Sequence, residues 1–143
     1  MTENEDRIEE STDLVVNEET ATNEFERWAT AMRLKLDRLG TDENERRDNE
    51  ADRQNIIQDI KAGRAYVNDA HLMVYKPENG KEITFYRPRG ADLVVMDKKK
   101  KSADMGKVIT SLASVTRTSE PTFSNMYQSD LDSCLAIWSL FLA

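Results

Sequence analysis

Apolar residues in the first half of the chain recur at helical spacing. Phe25, Trp28, Met32, Leu36 and Leu39 fall at three- and four-residue intervals, which places them on one face of an α-helix. Asn23 with Glu26 three residues on has the form of a capping box. Gly40 stands where a left-handed, helix-ending residue belongs. A second helix is predicted from Thr41 or Asp42 to about Ala62. Its first half, Glu43 to Asn55, is charged or amide-bearing except for Ala51, so it reads as a solvated face. Ile56, Ile57 and Ile60 are left to anchor it, and Gly63 ends it.

From Ala65 the apolar period becomes that of a strand. Ala65-Tyr-Val and Leu72-Met-Val-Tyr75 read as a hairpin turning at Asn68-Asp69. Pro77-Glu-Asn-Gly80 is a second turn, with Asn79-Gly80 as its hairpin signal. Glu82 to Tyr86 completes an antiparallel meander of three strands, which needs cover on one face to be stable. Pro88 has no N–H to extend the ladder, so the third strand stops near Arg87. Pro88 suits the first turn of a helix, and Ala91 to Met96 reads as a short one.

Helical spacing then returns. Lys98–Lys101 reads as a solvated loop, and a helix over Ala103–Thr116 carries Met105, Val108, Ile109, Leu112 and Val115 on one face. Ser119-Glu120-Pro121 opens a short turn bearing Phe123 and Met126. A last helix runs from Asp130 to Leu142, with Ser129 and Asp132 as a second capping box. The class is α+β, mainly helical, with a small three-stranded antiparallel meander and a disordered acidic N-terminus. It divides into a tail over 1–22, a helical extension of two helices over 23–63, and an α+β domain over 64–143.

Charge is unevenly placed. The 143 residues carry a net −7. Residues 1–24 hold nine acidic side chains against Arg7 alone, and the remainder is close to neutral at +1. Such a tail reads as disordered and solubilising. No apolar run approaches the roughly 18 residues of a membrane span, and the acidic start is unlike a signal peptide. A single cysteine, Cys134, fits a reducing cytoplasm.

Site chemistry is hard to find. His71 is the single histidine and falls beside a predicted turn, with no second ligand for a zinc site and no nucleophile to serve. Cys134 has no neighbouring basic residue to lower its pKa. The five glycines, Gly40, Gly63, Gly80, Gly90 and Gly106, are spread singly, so no phosphate loop exists. The run from Asp42 lacks the glycine and spacing of an EF-hand. Lys98–Lys101 with Arg87 and Arg89 lacks interleaved aromatics, which argues against nucleic acid. The expectation is a non-enzymatic protein with no metal, no cofactor and no membrane partner.

From about Tyr66 onward the chain resembles the tail assembly chaperones of long-tailed bacteriophages, and among them the P2 gene E and Mu tail chaperone families. The likeness lies in the order of elements. A β meander leads to Ile83-Thr-Phe-Tyr-Arg-Pro-Arg-Gly-Ala-Asp-Leu93, in which Arg87, Pro88, Gly90 and Asp92 mark the strand break and the turn into a helix. Val108-Ile-Thr-Ser-Leu-Ala113 follows, then Met126-Tyr-Gln-Ser-Asp-Leu131 and an apolar helix closing on Phe141-Leu142. Residues 1–64 and the Lys98–Lys101 run depart from the short family members.

The resemblance implies a role without chemistry. Such chaperones coat the tape-measure protein in the cytoplasm of the infected host before the tail tube polymerises around it. They are not expected in the mature virion. The tail tube protein and self-association are further implied partners, and in the family a frameshifted longer form often exists.

The residues offer a surface for that role. A helical client needs apolar anchors at i, i+3, i+4 and i+7. On the last helix Leu131, Leu135, Trp138 and Leu142 lie on one side, widened by Cys134, Ile137 and Phe141. Trp28 and Met32, with Phe25 and Leu36, offer a second such face. Core burial is the competing reading of both, and on the last helix one flank is expected to close the domain while the other meets client or a second copy. Two other classes stand beside this one. A small acidic inhibitor mimicking DNA is opposed by charge that sits in the tail rather than on the fold. A structural tail or neck subunit would remain in the particle.

Overall fold

Helix α1 spans Glu18–Ala31 in the computed structural model, which describes residues 16–34, 43–99 and 105–142, and of residues 95–99 only the backbone. The Asn17 side chain accepts the Thr20 N–H at 2.7 Å, and Glu18 and Glu19 occupy the positive end of the helix dipole. The helix therefore starts one and a half turns before the Asn23–Glu26 box. Glu18–Thr22, read as tail, are helical because Ala21 extends the buried face of Phe25, Trp28, Ala29 and Met32 by one turn.

The same helix stops early. Arg33 takes a φ of 61°. Its N–H donates to the Thr30 carbonyl, and the Leu34 N–H to that of Ala29, both at 3.0 Å. This Schellman closure ends the helix before Leu36, Leu39 and Gly40, which lie outside the described residues.

Helix α2, Glu43–Lys61, buries Ile56, Ile57 and Ile60 as its sequence requires, and also Asp59. Gly63, at φ 81°, closes it, with the Gly63 N–H on the Ile60 carbonyl and the Arg64 N–H on that of Asp59. Three short strands follow, β1 (Ala65–Val67), β2 (Met73–Tyr75) and β3 (Ile83–Phe85). They pair antiparallel in that order, with Val67 opposite Met73, and Met73 opposite Phe85. The Asn68 side chain folds the first turn by accepting the Ala70 and Leu72 N–H groups.

Helix α3 covers Gly90–Lys99, longer than the Ala91–Met96 expected, so Lys98 and Lys99 are helical rather than loop. Lys100 and Lys101 lie outside the described residues. Pro88 stands before the helix, not in its first turn. Helices α4 (Met105–Thr116), α5 (Glu120–Ser124) and α6 (Gln128–Leu142) complete the fold. Helix α6 starts ahead of the Ser129–Asp132 box, with the Tyr127 carbonyl accepting the Leu131 N–H at 3.0 Å.

The architecture is α+β and mainly helical. Helix α2 lies between α1 and α6 and touches β1, while α4 packs on β3, α3 and α5. One apolar core joins Phe25 and Trp28 of α1, the α2 isoleucines, the sheet, and Ile137 and Trp138 of α6. Arg27 of α1 donates to the Val67 and Asn68 carbonyls at 3.0 and 3.3 Å. The boundary between residues 63 and 64 thus divides elements that share a core, because the apolar face of α1 finds its cover on the sheet and on α6.

Candidate functional site

The residues expected to meet a partner separate into two groups. Trp138 and Trp28 are 1% and 0% exposed, and Met32 is buried. Trp28 meets Phe141 edge-on at 5.5 Å, and Trp138 lies 5.9 Å from the same ring. These are core residues: the aromatic faces that looked available in sequence cover one another where Phe141 of α6 reaches Trp28 of α1. Leu131 and Leu135 are half-buried, and Leu142 is 41% exposed. At i, i+4 and i+11 they fall within about 40° on one face of α6. Leu131 and Leu135 also touch the core, and the exposed Gln128, Ser129 and Asp132 share the solvent side of α6 with Leu142. Cys134, Ile137 and Trp138 close the fold.

A second apolar surface was not read from sequence. Leu93 and Val94 of α3 and Met105 of α4 are exposed, on two helices that pack together. The helical spacing placed Met105 on one face with Leu112 and Val115, but α4 buries residues only in its second half, Ser111, Leu112, Ala113, Val115 and Thr116.

The Arg-Pro-Arg-Gly segment is built around Asp92. Its carboxylate is buried and accepts the Arg89 N–H at 2.9 Å, as the third residue of a helix does for its cap. Ser114 of α4 donates its hydroxyl to the same carboxylate, which ties α3 to α4. Arg87 and Gly90 are exposed, and Pro88 is half-buried. A Cβ at Gly90 would meet open space, so the turn does not need a glycine there.

Between α2, β2 and the start of α6 lies a polar cleft of about 640 Å³. At its inner side the buried Tyr75 hydroxyl donates to Asp130 Oδ1 at 2.6 Å, and the Glu78 N–H donates to Asp130 Oδ2 at 2.9 Å. Asp59, also in the wall, accepts from Arg64 Nε at 2.9 Å. Burial, then Asp130, push the Tyr75 phenol well above its ordinary value. Burial, then Asp130 and Asp59, do the same to the Cys134 thiol. Both stay protonated at neutral pH, so neither is prepared as a nucleophile or base.

His71 is remote in role. It sits at φ 66° in the β1–β2 turn, exposed, with Nδ1 2.8 Å from the Arg27 guanidinium. Among the described residues no three His, Cys, Asp or Glu side chains are grouped to hold a metal ion, and no helix is long and apolar enough to cross a membrane.

The cleft's key residues left faint signals in the sequence. Asp59 stands among Ile56, Ile57 and Ile60, the anchoring end of an otherwise polar helix, and a carboxylate there must be paired. Asp130 read as a helix start, and Tyr75 as the end of a strand. Nothing in spacing alone joins residues so far apart.

No protein-family model, no curated protein and no solved structure matches this chain.

Proposed function

We propose that this protein is a non-enzymatic tail assembly chaperone of a bacteriophage, which binds and solubilises the tape-measure protein before the tail tube polymerises. The observation that carries the reading is the leucine strip on the last helix. Leu131 and Leu135 stay half-buried and Leu142 exposed, apolar positions that the packing of α6 covers only in part. A strip of that spacing suits the apolar face of an amphipathic client helix. The exposed Leu93, Val94 and Met105 add a second contact for the same client, for the tail tube protein or for self-association. The order of elements that resembles the chaperone families supports the reading independently, and with it a site of action in the host cytoplasm and absence from the mature virion.

Charge favours this over mimicry of DNA. The solvated half of α2, Glu43 to Asn55, interleaves five acidic with three basic side chains, which is not a one-signed face. The test is co-expression with the tape-measure protein of the same genome. A chaperone keeps that protein soluble and co-purifies with it. Insoluble tape measure with no co-purification, or this chain found in purified virions by mass spectrometry, counts against the proposal.

A further inference from the structure

We infer that the cleft between α2, β2 and the start of α6 binds a protonated amine or guanidinium, supplied by a lysine or arginine side chain or by a free small amine. The inference does not depend on the chaperone reading. It starts from Asp59, which is 2% exposed and lies in the cleft wall. Its Oδ1 accepts from Arg64, but its Oδ2 has no hydrogen-bond partner. A buried carboxylate oxygen left without a donor is costly, and a cation bearing N–H groups supplies both the missing donor and opposite charge.

The surroundings favour that ligand over others. The wall holds four carboxylates, Asp59, Glu78, Asp130 and Asp132, against Arg64 and Lys76, so the site repels anions and attracts cations. Asp130 is fixed at both oxygens, by Tyr75 and by the Glu78 N–H, and so presents its remaining lone pairs in a set direction. Among the described residues the carboxylates do not converge as a divalent ion demands. A cation that carries its own spaced N–H donors does not need them to. The Arg64 side chain is 52% exposed, so its charge is shared with solvent and leaves Asp59 incompletely neutralised.

The experiment titrates the full chain, labelled with ¹⁵N, with methylguanidinium and with n-butylammonium. Tetramethylammonium, which has the charge but no N–H, is the control. Saturable shifts of the Glu78 and Arg64 backbone amides are expected with the first two ions and not with the third. Asp59→Asn should weaken binding about tenfold, the worth of one charge-assisted hydrogen bond. If that variant does not fold, Asp132→Asn serves, since Asp132 is exposed, and a weaker affinity is again expected.

Capped arginine and lysine amides that saturate like the small ions assign the site to a polypeptide side chain. Saturation by butylammonium but not by the capped residues assigns it to a free amine. Unsaturated shifts, or equal shifts with tetramethylammonium, overturn the inference and leave Asp59 Oδ2 to water.

Discussion

The Tyr75 hydroxyl and Asp130, fifty-five residues apart in the chain, meet at 2.6 Å inside the protein. The bond joins the central strand to the first turn of the last helix and positions α6 lengthwise, so the leucine strip and the acidic cleft both depend on it. Tyr75→Phe should destabilise the fold by about 1–3 kcal/mol, because Asp130 loses a donor while remaining buried. Asp130→Asn should cost a similar amount. A double-mutant cycle in urea should show the two effects strongly coupled; additive effects would mean that the bond contributes little.

Alkaline pH should unfold the protein through two interior groups. Cys134 and Tyr75 have folded pKa values raised above their ordinary 9.0 and 10.0. A raised pKa means the folded state holds the proton more tightly than the unfolded state. Stability is therefore intact below pH 9 and declines as pH rises past 9 and 10, by up to about 1.4 kcal/mol per pH unit for each group. Cys134→Ala should remove the earlier onset, and Tyr75→Phe the later one, in denaturation curves taken from pH 8 to 11.

The two halves of the expected partner stripe should respond very differently to truncation. Trp138→Ala and Trp28→Ala should each cost about 3–5 kcal/mol, as removal of a buried aromatic does. Leu142→Ala should stay within about 0.5 kcal/mol. Thermal melts would separate these outcomes. A mild effect at Trp138 would place it outside the core.

Arginine at a left-handed helix end offers a route to higher stability. Arg33 and Arg117 sit at φ 61° and 58° in Schellman closures, where glycine is the relaxed residue. Arg33→Gly should stabilise by about 0.5–1 kcal/mol. Arg117→Gly should gain less, because the Arg117 guanidinium lies 4.0 Å from the Tyr86 ring centroid and that attraction would be lost. Equal gains would show the stacking to be without value.

The elements were largely legible because their punctuation is local. Gly63, Asn68, Gly80 and the alternation through Ile83 and Phe85 fix the α2 end and the meander. Boundaries failed where a local signal misled: Asn23 with Glu26 has the form of a cap, but the helix is capped by Asn17 because burial of Ala21 extends it. The early stop at Arg33 was illegible because arginine carries no hint of a left-handed conformation. The site was less legible than the fold. Spacing put Leu131, Leu135, Trp138 and Leu142 on one side of a helix, but only the position of α1 and α2 decides that Trp138 is covered and Leu142 is not. The pairing of Tyr75 with Asp130 depends on how β2 meets α6, which no periodicity encodes.

The central claim is that the leucine strip holds an amphipathic client, and a single comparison tests it directly. Leu135→Asp with Leu142→Asp, checked by circular dichroism for an unchanged fold, would be co-expressed with the tape-measure protein beside the parent chain. The account predicts that the parent yields a soluble complex and that the double variant, equally well folded, leaves the tape measure in the pellet. A double variant that solubilises its client as well as the parent does would contradict it.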